Sequence, residues 1–202
     1  MVRPSRSQDA HERPTARTRI VEAAARLFQS QGYAGTGLTE ILRASKAPKG
    51  SLYHYFPNGK RDLAGEAARV AGARFADTMA RIAGESASSA QFVVQFTGQL
   101  ATWLEESRFR QGCPLATLAL ELAPGDSEAS DTLEGVFAAW QDALKLRLEA
   151  DGIAPERAGR LALLILSSIE GALILSRTAR KTEPVLSVGE ELAALIESHR
   201  GT

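Results

Sequence analysis

Apolar residues return along most of this chain at spacings of three and four, the signature of one buried face of an α-helix. They nowhere alternate with polar residues in the way that marks a strand. The first periodic segment runs from about Thr15 to Gln31 and places Ile20, Ala24, Leu27 and Phe28 on one face. Gly32 is expected to end it as a left-handed cap. A short helix is predicted over Leu38–Ser45, burying Leu38, Ile41 and Leu42, and a third from Pro48 to about Phe56. Proline suits a first helical turn, and Pro57-Asn58-Gly59 stops the helix. Six further helices are predicted at about 60–83, 88–107, 114–123, 127–151, 155–181 and 185–199, punctuated by Pro124-Gly125, Pro155 and Pro184. Phe92, Phe96, Leu100 and Trp103 form one stripe, and Leu133, Val136, Phe137, Trp140 and Leu144 another. The predicted fold class is all-α.

Composition narrows the class. With 44% hydrophobic and 24% charged residues, the chain reads as a soluble globular protein. The zero net charge hides an asymmetry. Residues 1–60 carry ten Lys and Arg against four Asp and Glu, and the rest carries fourteen against twenty. A basic module ahead of an acidic remainder points to a polyanionic partner for the first part. Residues 1–14, with Arg3, Arg6 and Arg13 among polar neighbours, are expected to form a mobile arm rather than a signal peptide. The apolar run Leu161–Leu175 contains Glu170 and is shorter than the roughly 20 residues a bilayer needs, so no membrane partner is expected. A single cysteine, Cys113, forbids an intrachain disulfide and favours a reducing, cytoplasmic location.

Candidate chemistry is sparse outside the basic part. His11, His54, His199 and Cys113 lack metal-ligand spacing. Gly32, Gly35 and Gly37 follow no strand and make no dinucleotide loop. No cofactor is expected, and no nucleophile–base pair marks an enzyme. The two short helices at 38–45 and 48–56, joined by a tight connection, suit a helix-turn-helix whose second helix enters the DNA major groove. At about 100° per residue, Leu52, Tyr55 and Phe56 fall on an inward arc. Lys49, Gly50, Ser51, Tyr53 and His54 fall on the outward one, which carries no acid. Gly50 lets the helix start approach a groove wall. An ordinary helical hairpin with a polar outside has the same periodicity.

Residues 15–63 resemble the N-terminal domain of TetR-family transcriptional regulators, through IVEAAARLFQSQGY (20–33), LTEILRAS (38–45) and KGSLYHYFPNGKRDL (49–63). The run APKGSLYHYFPNGK, together with Gly112-Cys113-Pro114-Leu115-Ala116, resembles the LmrA/YxaF-like branch. The resemblance implies base and phosphate contacts from Lys49, Gly50, Ser51, Tyr53 and His54, with Thr36 and Lys60 on phosphate. Two positions depart from the common pattern: Pro48 replaces a capping Ser, and Gly37 a Thr or Ser. The 57–59 loop is also one residue longer. The division implied is an arm at 1–14, a DNA-binding domain at 15–60 and a regulatory domain at 61–202. The regulatory helices would enclose a cavity for a small-molecule inducer lined by Phe92, Phe96, Trp103 and Trp140, although the same stripes describe a filled core. Glu170 is either a ligand-facing acid or, the favoured reading, a group with a helix-end or inter-subunit partner such as an Arg. Cys113 lies at a predicted helix start, where a thiolate is favoured, so a redox role stands beside a structural one. The helices at 155–181 and 185–199 are expected to form a homodimer, with Val188, Leu192, Leu195 and Ile196 as a stripe in need of a partner. A dimer implies an inverted-repeat double-stranded DNA operator. The helix at 60–83, shared by both parts, would carry the ligand signal.

Overall fold

The computed structural model describes residues 14–199. The expected arm, Pro14 apart, lies outside the described residues. Among the described residues every regular element is a helix: α1 (Ala16–Gly35), α2 (Leu38–Ser45), α3 (Lys49–Tyr55), α4 (Lys60–Glu85), α5 (Ser89–Glu106), α6 (Ala116–Leu122), α7 (Ser127–Ala150), α8 (Pro155–Ala179) and α9 (Glu183–Glu197). The all-α expectation is met, and no predicted boundary misses by more than a few residues.

Short polar residues start several helices by accepting orphan amide protons. Thr15 accepts from the Thr18 amide at 3.1 Å, Ser88 from Gln91 at 3.2 Å and Asp126 from Ala129 at 3.1 Å. Pro155 and Pro184 sit in the first turns of α8 and α9. Pro48 is the cap of α3 and not its first residue, with extended backbone at φ −61° and ψ 142°. α2 and α8 end on left-handed Lys46 and Arg180. Gly32 interrupts α1 at φ 80° and ψ 171°, a region closed to most side chains, and one further turn, Tyr33–Gly35, follows the break.

α1, α2, α3 and the start of α4 close around Ile20, Ala24, Phe28, Ile41, Leu52, Phe56 and Leu63, all buried. The remaining helices close around a second set that includes Phe75, Phe96, Leu100, Trp140, Leu144, Leu161 and Ile165, and the two sets are continuous. α4 joins them, packing on α1 at one end and on α5 and α7 along the rest. Its contact with α7 is close at Gly72, whose carbonyl accepts the Trp140 indole N–H at 3.1 Å, and a Cβ there would strike Val136. α9 lies along α5 and α8, and α8 packs on α7. By length and composition alone α8 is apolar enough to cross a membrane, yet one of its faces is buried among these neighbours.

Candidate nucleic-acid interface and ligand cavity

α2 and α3 meet through Lys46-Ala47-Pro48, and burial sorts α3 sharply. Leu52 and the capping Phe56 are buried, whereas Lys49, Gly50, Tyr53 and His54 are exposed and Ser51 is half-exposed. No heavy atom lies within 4 Å of a Cβ built on Gly50. Packing within the chain therefore does not require a glycine there, and the space is open to whatever approaches the helix start. Tyr55, expected on the inward arc, is instead 39% exposed. It is the last residue of α3, and its ring meets His54 edge-on at 4.9 Å and Phe56 at 6.4 Å. Tyr55 thus extends the outward face.

The two expected phosphate contacts sit differently. Thr36 is buried, and its hydroxyl donates to the Gly32 carbonyl at 2.7 Å, closing the turn after the break in α1. No hydroxyl is left to present at this position. Lys60 is half-buried, with its ammonium 4.3 Å from the centre of the Tyr33 ring. Burial holds its pKa below the ordinary lysine value, against the opposing charge of Glu121. Two cations not singled out by pattern flank α3 instead: exposed Arg43, and Lys46 in its left-handed cap. The only signal for them in the sequence was the basic balance of the first 60 residues.

A cavity of about 430 Å³ opens where α1, α4 and α5 meet the segment between α5 and α6. Phe75, Leu100, Trp103, Leu104 and Leu173 supply apolar wall, and Arg26, Gln29, Arg74 and Thr78 polar wall. Of the aromatics expected to line a cavity, only Trp103 does. Phe92 stacks on Phe96 with ring centres 5.5 Å apart, and Phe75 contacts Phe96 at 5.3 Å and Trp140 at 4.3 Å. Phe92, Phe96 and Trp140 are core, each 2% exposed or less. Their stripes face neighbouring helices, while the cavity lies where small side chains leave a gap: Ala25, Ala71 and Gly112.

Glu170 does not line this cavity. Burial raises its pKa, and its carboxyl is hydrogen-bonded to the Cys113 thiol, which opposes that rise. Within the chain its neighbour is thus a thiol. The Cys113 thiol is in turn pushed well above its usual range, first by burial and then by the Glu170 charge and hydrogen bond. The expected helix start is also displaced, because α6 begins at Ala116. Cys113 is thus held as a protonated thiol, the reverse of an activated thiolate.

The α9 stripe expected at a dimer interface finds its partner inside the chain. Leu192 and Ile196 are buried against α5 and α8, and Val188 and Leu195 are half-buried against the same core. Gly189 permits this, since any Cβ there would strike Thr97 of α5. Exposed large apolar groups cluster on one side of α8, where Leu163, Leu164, Ile174 and Leu175 are 53%, 44%, 53% and 59% exposed, whereas exposed Leu120 and Leu146 stand on α6 and α7.

Known proteins share both the sequence and this arrangement. The family model for bacterial regulatory proteins of the tetR family matches residues 20–67, and that of the LmrA/YxaF-like C-terminal domain of transcriptional regulators matches 89–191. The HTH-type transcriptional regulator YxaF of Bacillus subtilis is 36% identical over 91% of this chain and 96% of its own length. A TetR transcriptional regulator from Chloroflexus aurantiacus superposes with a TM-score of 0.78 at 28% identity, covering 91% of this chain and 95% of that one. The TetR family regulator CifR, as a cysteine mutant complexed with 26-base-pair operator DNA, has the same fold, with a TM-score of 0.73 at 20% identity over 93% and 98% of the two chains. These relatives are regulators and not enzymes. A helix-turn-helix with a polar outward face, a helical body and both family matches lead to one conclusion: the chain belongs to the TetR family of transcriptional regulators, in the LmrA/YxaF-like branch.

Proposed function

We propose that this regulator is a cytoplasmic repressor that binds an inverted-repeat operator as a homodimer and is released by a mainly apolar small molecule. The observation that carries the DNA part is the division of α3 between buried Leu52 and an exposed face of Lys49, Gly50, Tyr53 and His54. Tyr53 and His54 offer hydrogen-bonding groups to base edges, and Lys49 a cation to phosphate, a contact that positions without reading sequence. Lys46 and Arg43 extend that basic edge. CifR, which shares the fold, is itself complexed with operator DNA.

Replacing Tyr53 and His54 together by Ala should abolish specific operator footprinting while circular dichroism and oligomeric state stay those of the wild type. A normal footprint would remove α3 as the reading element. Lys49→Ala should weaken binding to every sequence alike and lower the salt slope by about one.

The exposed leucines and isoleucine of α8 form the dimer face in this reading, because so many large apolar groups on one helix side need a cover. Leu175→Glu should give monomers in sedimentation, and a stable dimer in that variant would place the interface elsewhere. The small molecule occupies the cavity beside Trp103, where Phe75, Trp103 and three leucines suit a ring-bearing compound and the polar side, Arg26, Gln29, Arg74 and Thr78, would orient it. Its binding must favour a spacing of the two α3 helices that the operator rejects.

A further inference from the structure

The break in α1 at Gly32 is occupied by a side chain from another helix. Glu121, on α6, accepts the Ala34 amide proton at 2.6 Å through Oε2, and its Oε1 stands where a Gly32 Cβ would be. Thr117, one turn earlier on α6, also closes on Gly32. The missing side chain and the positive φ of Gly32 together make a notch that fits one carboxylate.

Beyond the notch the chain leads straight into the reading head. The Thr36 hydroxyl donates to the Gly32 carbonyl at 2.7 Å and its amide to the Tyr33 carbonyl at 3.2 Å. Gly37 then caps α2. Tyr33 also carries the Lys60 ammonium over its ring, within the field of the Glu121 charge. The orientation of α2, and of α3 behind it, therefore depends on how this turn is held.

The segment that enters α6 reaches the cavity. Gly112 and Pro114 line it, and the Gly112 carbonyl accepts from the Gln29 side chain of α1 at 2.7 Å. From there Leu115 leads into α6, whose five helical steps from Ala116 to Glu121 make a rigid spacer of about 8 Å.

We propose that Glu121 is a positioning residue for DNA binding, a latch that pins the Gly32–Thr36 turn and is withdrawn when an occupant of the cavity displaces Pro114 and α6. The second half rests on the proposed ligand-binding role of the cavity. The first half stands without it.

Both halves are tested on the full chain. Glu121→Ala leaves every proposed DNA contact in place, and it should lower operator affinity about tenfold, within the usual range of coupling between sites. It should also speed hydrogen exchange at the Ala34 amide. Glu121→Gln, which keeps a carbonyl acceptor, should restore most of the binding. For an occupant of known position, Thr78→Cys on the cavity wall is labelled with N-phenylmaleimide, while buried Cys113 stays unlabelled by mass spectrometry. Relative to unlabelled T78C, the label should weaken operator binding about tenfold when Glu121 is present and by less than twofold in the E121A background. Wild-type affinity and Ala34 exchange in E121A would overturn the latch. A label effect of equal size in both backgrounds would make Glu121 a static prop and overturn the coupling. A label without effect even with Glu121 present would remove the cavity reading and the coupling together, and leave the E121A affinity to decide the latch.

Discussion

α3 and α5 are both amphipathic, yet they present opposite problems to a reader of sequence. α3 has seven residues and one buried side, so a residue off its inward arc is exposed and available. α5 packs against α4, α8 and α9, which bury Phe92 and Phe96 of its stripe, while Leu100 and Trp103 of the same stripe line the cavity. On a helix with one neighbour, periodicity separates core from site. On a helix with several, the same periodicity mixes core with cavity wall, and the two separate only where small residues of neighbouring elements leave a gap.

Substitutions along that contrast should separate the two roles. Trp140→Ala removes a buried indole and its hydrogen bond to Gly72, and should cost about 3–5 kcal/mol in denaturant unfolding. Trp103→Ala, at a position already 36% exposed on the cavity wall, should cost less than about 1 kcal/mol and act on ligand response instead. Equal losses at the two tryptophans would erase the distinction between core and cavity aromatics.

Gly72→Ala forces a methyl into Val136 at the contact of α4 with α7, and overpacking of this kind should cost about 1–3 kcal/mol. Gly50→Ala, with open space around it, should instead stabilise the fold by about 0.4–1 kcal/mol while weakening operator binding. Opposite signs at two helical glycines would distinguish one kept for packing from one kept for an approaching partner.

Glu170 sharpens the comparison through pH. Its folded pKa is raised above the ordinary 4.5 by burial, so the folded state holds a proton that the unfolded state has released. The neutral-carboxyl contribution is fully present below the unfolded pKa and is lost as pH rises through the folded value. Urea midpoints of the wild type should fall as pH climbs upward from about 4.5, a fall that Glu170→Gln should flatten. Cys113, held protonated beside it, should resist iodoacetamide in the folded protein at neutral pH and react after unfolding. Rapid labelling of the native chain would restore the redox reading.

The helices and the outward face of α3 were legible because local signals agreed: apolar residues at spacings of three and four, prolines and glycines between the segments, and a one-sided apolar arc on α3. Three kinds of information were not. Tyr55 fell on the inward arc by angle, yet as the last residue of α3 it is exposed. Thr36 and Lys60 sat at the positions the resemblance assigned, yet one bonds Gly32 and the other covers Tyr33, contacts that depend on the break at Gly32. The stripe of α9 packs on α5 and α8, and periodicity cannot tell a neighbour in the same chain from one in another. That choice was made by Gly189, which lets α9 close on Thr97.

α4 contributes Leu63 and Ala64 to the packing of the reading head and, on the same unbroken 26-residue rod, Phe75 and Met79 to the body. The two halves of the polypeptide are therefore not separable modules. A fragment ending near Lys60 would lack Leu63, the residue that seals the underside of the head, and would leave Phe28 and Phe56 wet. Heat or urea should melt the whole chain as one cooperative unit with a single transition. Exchange of reading heads among relatives should then succeed only when the junction is cut beyond Met79, so that the helix is inherited whole.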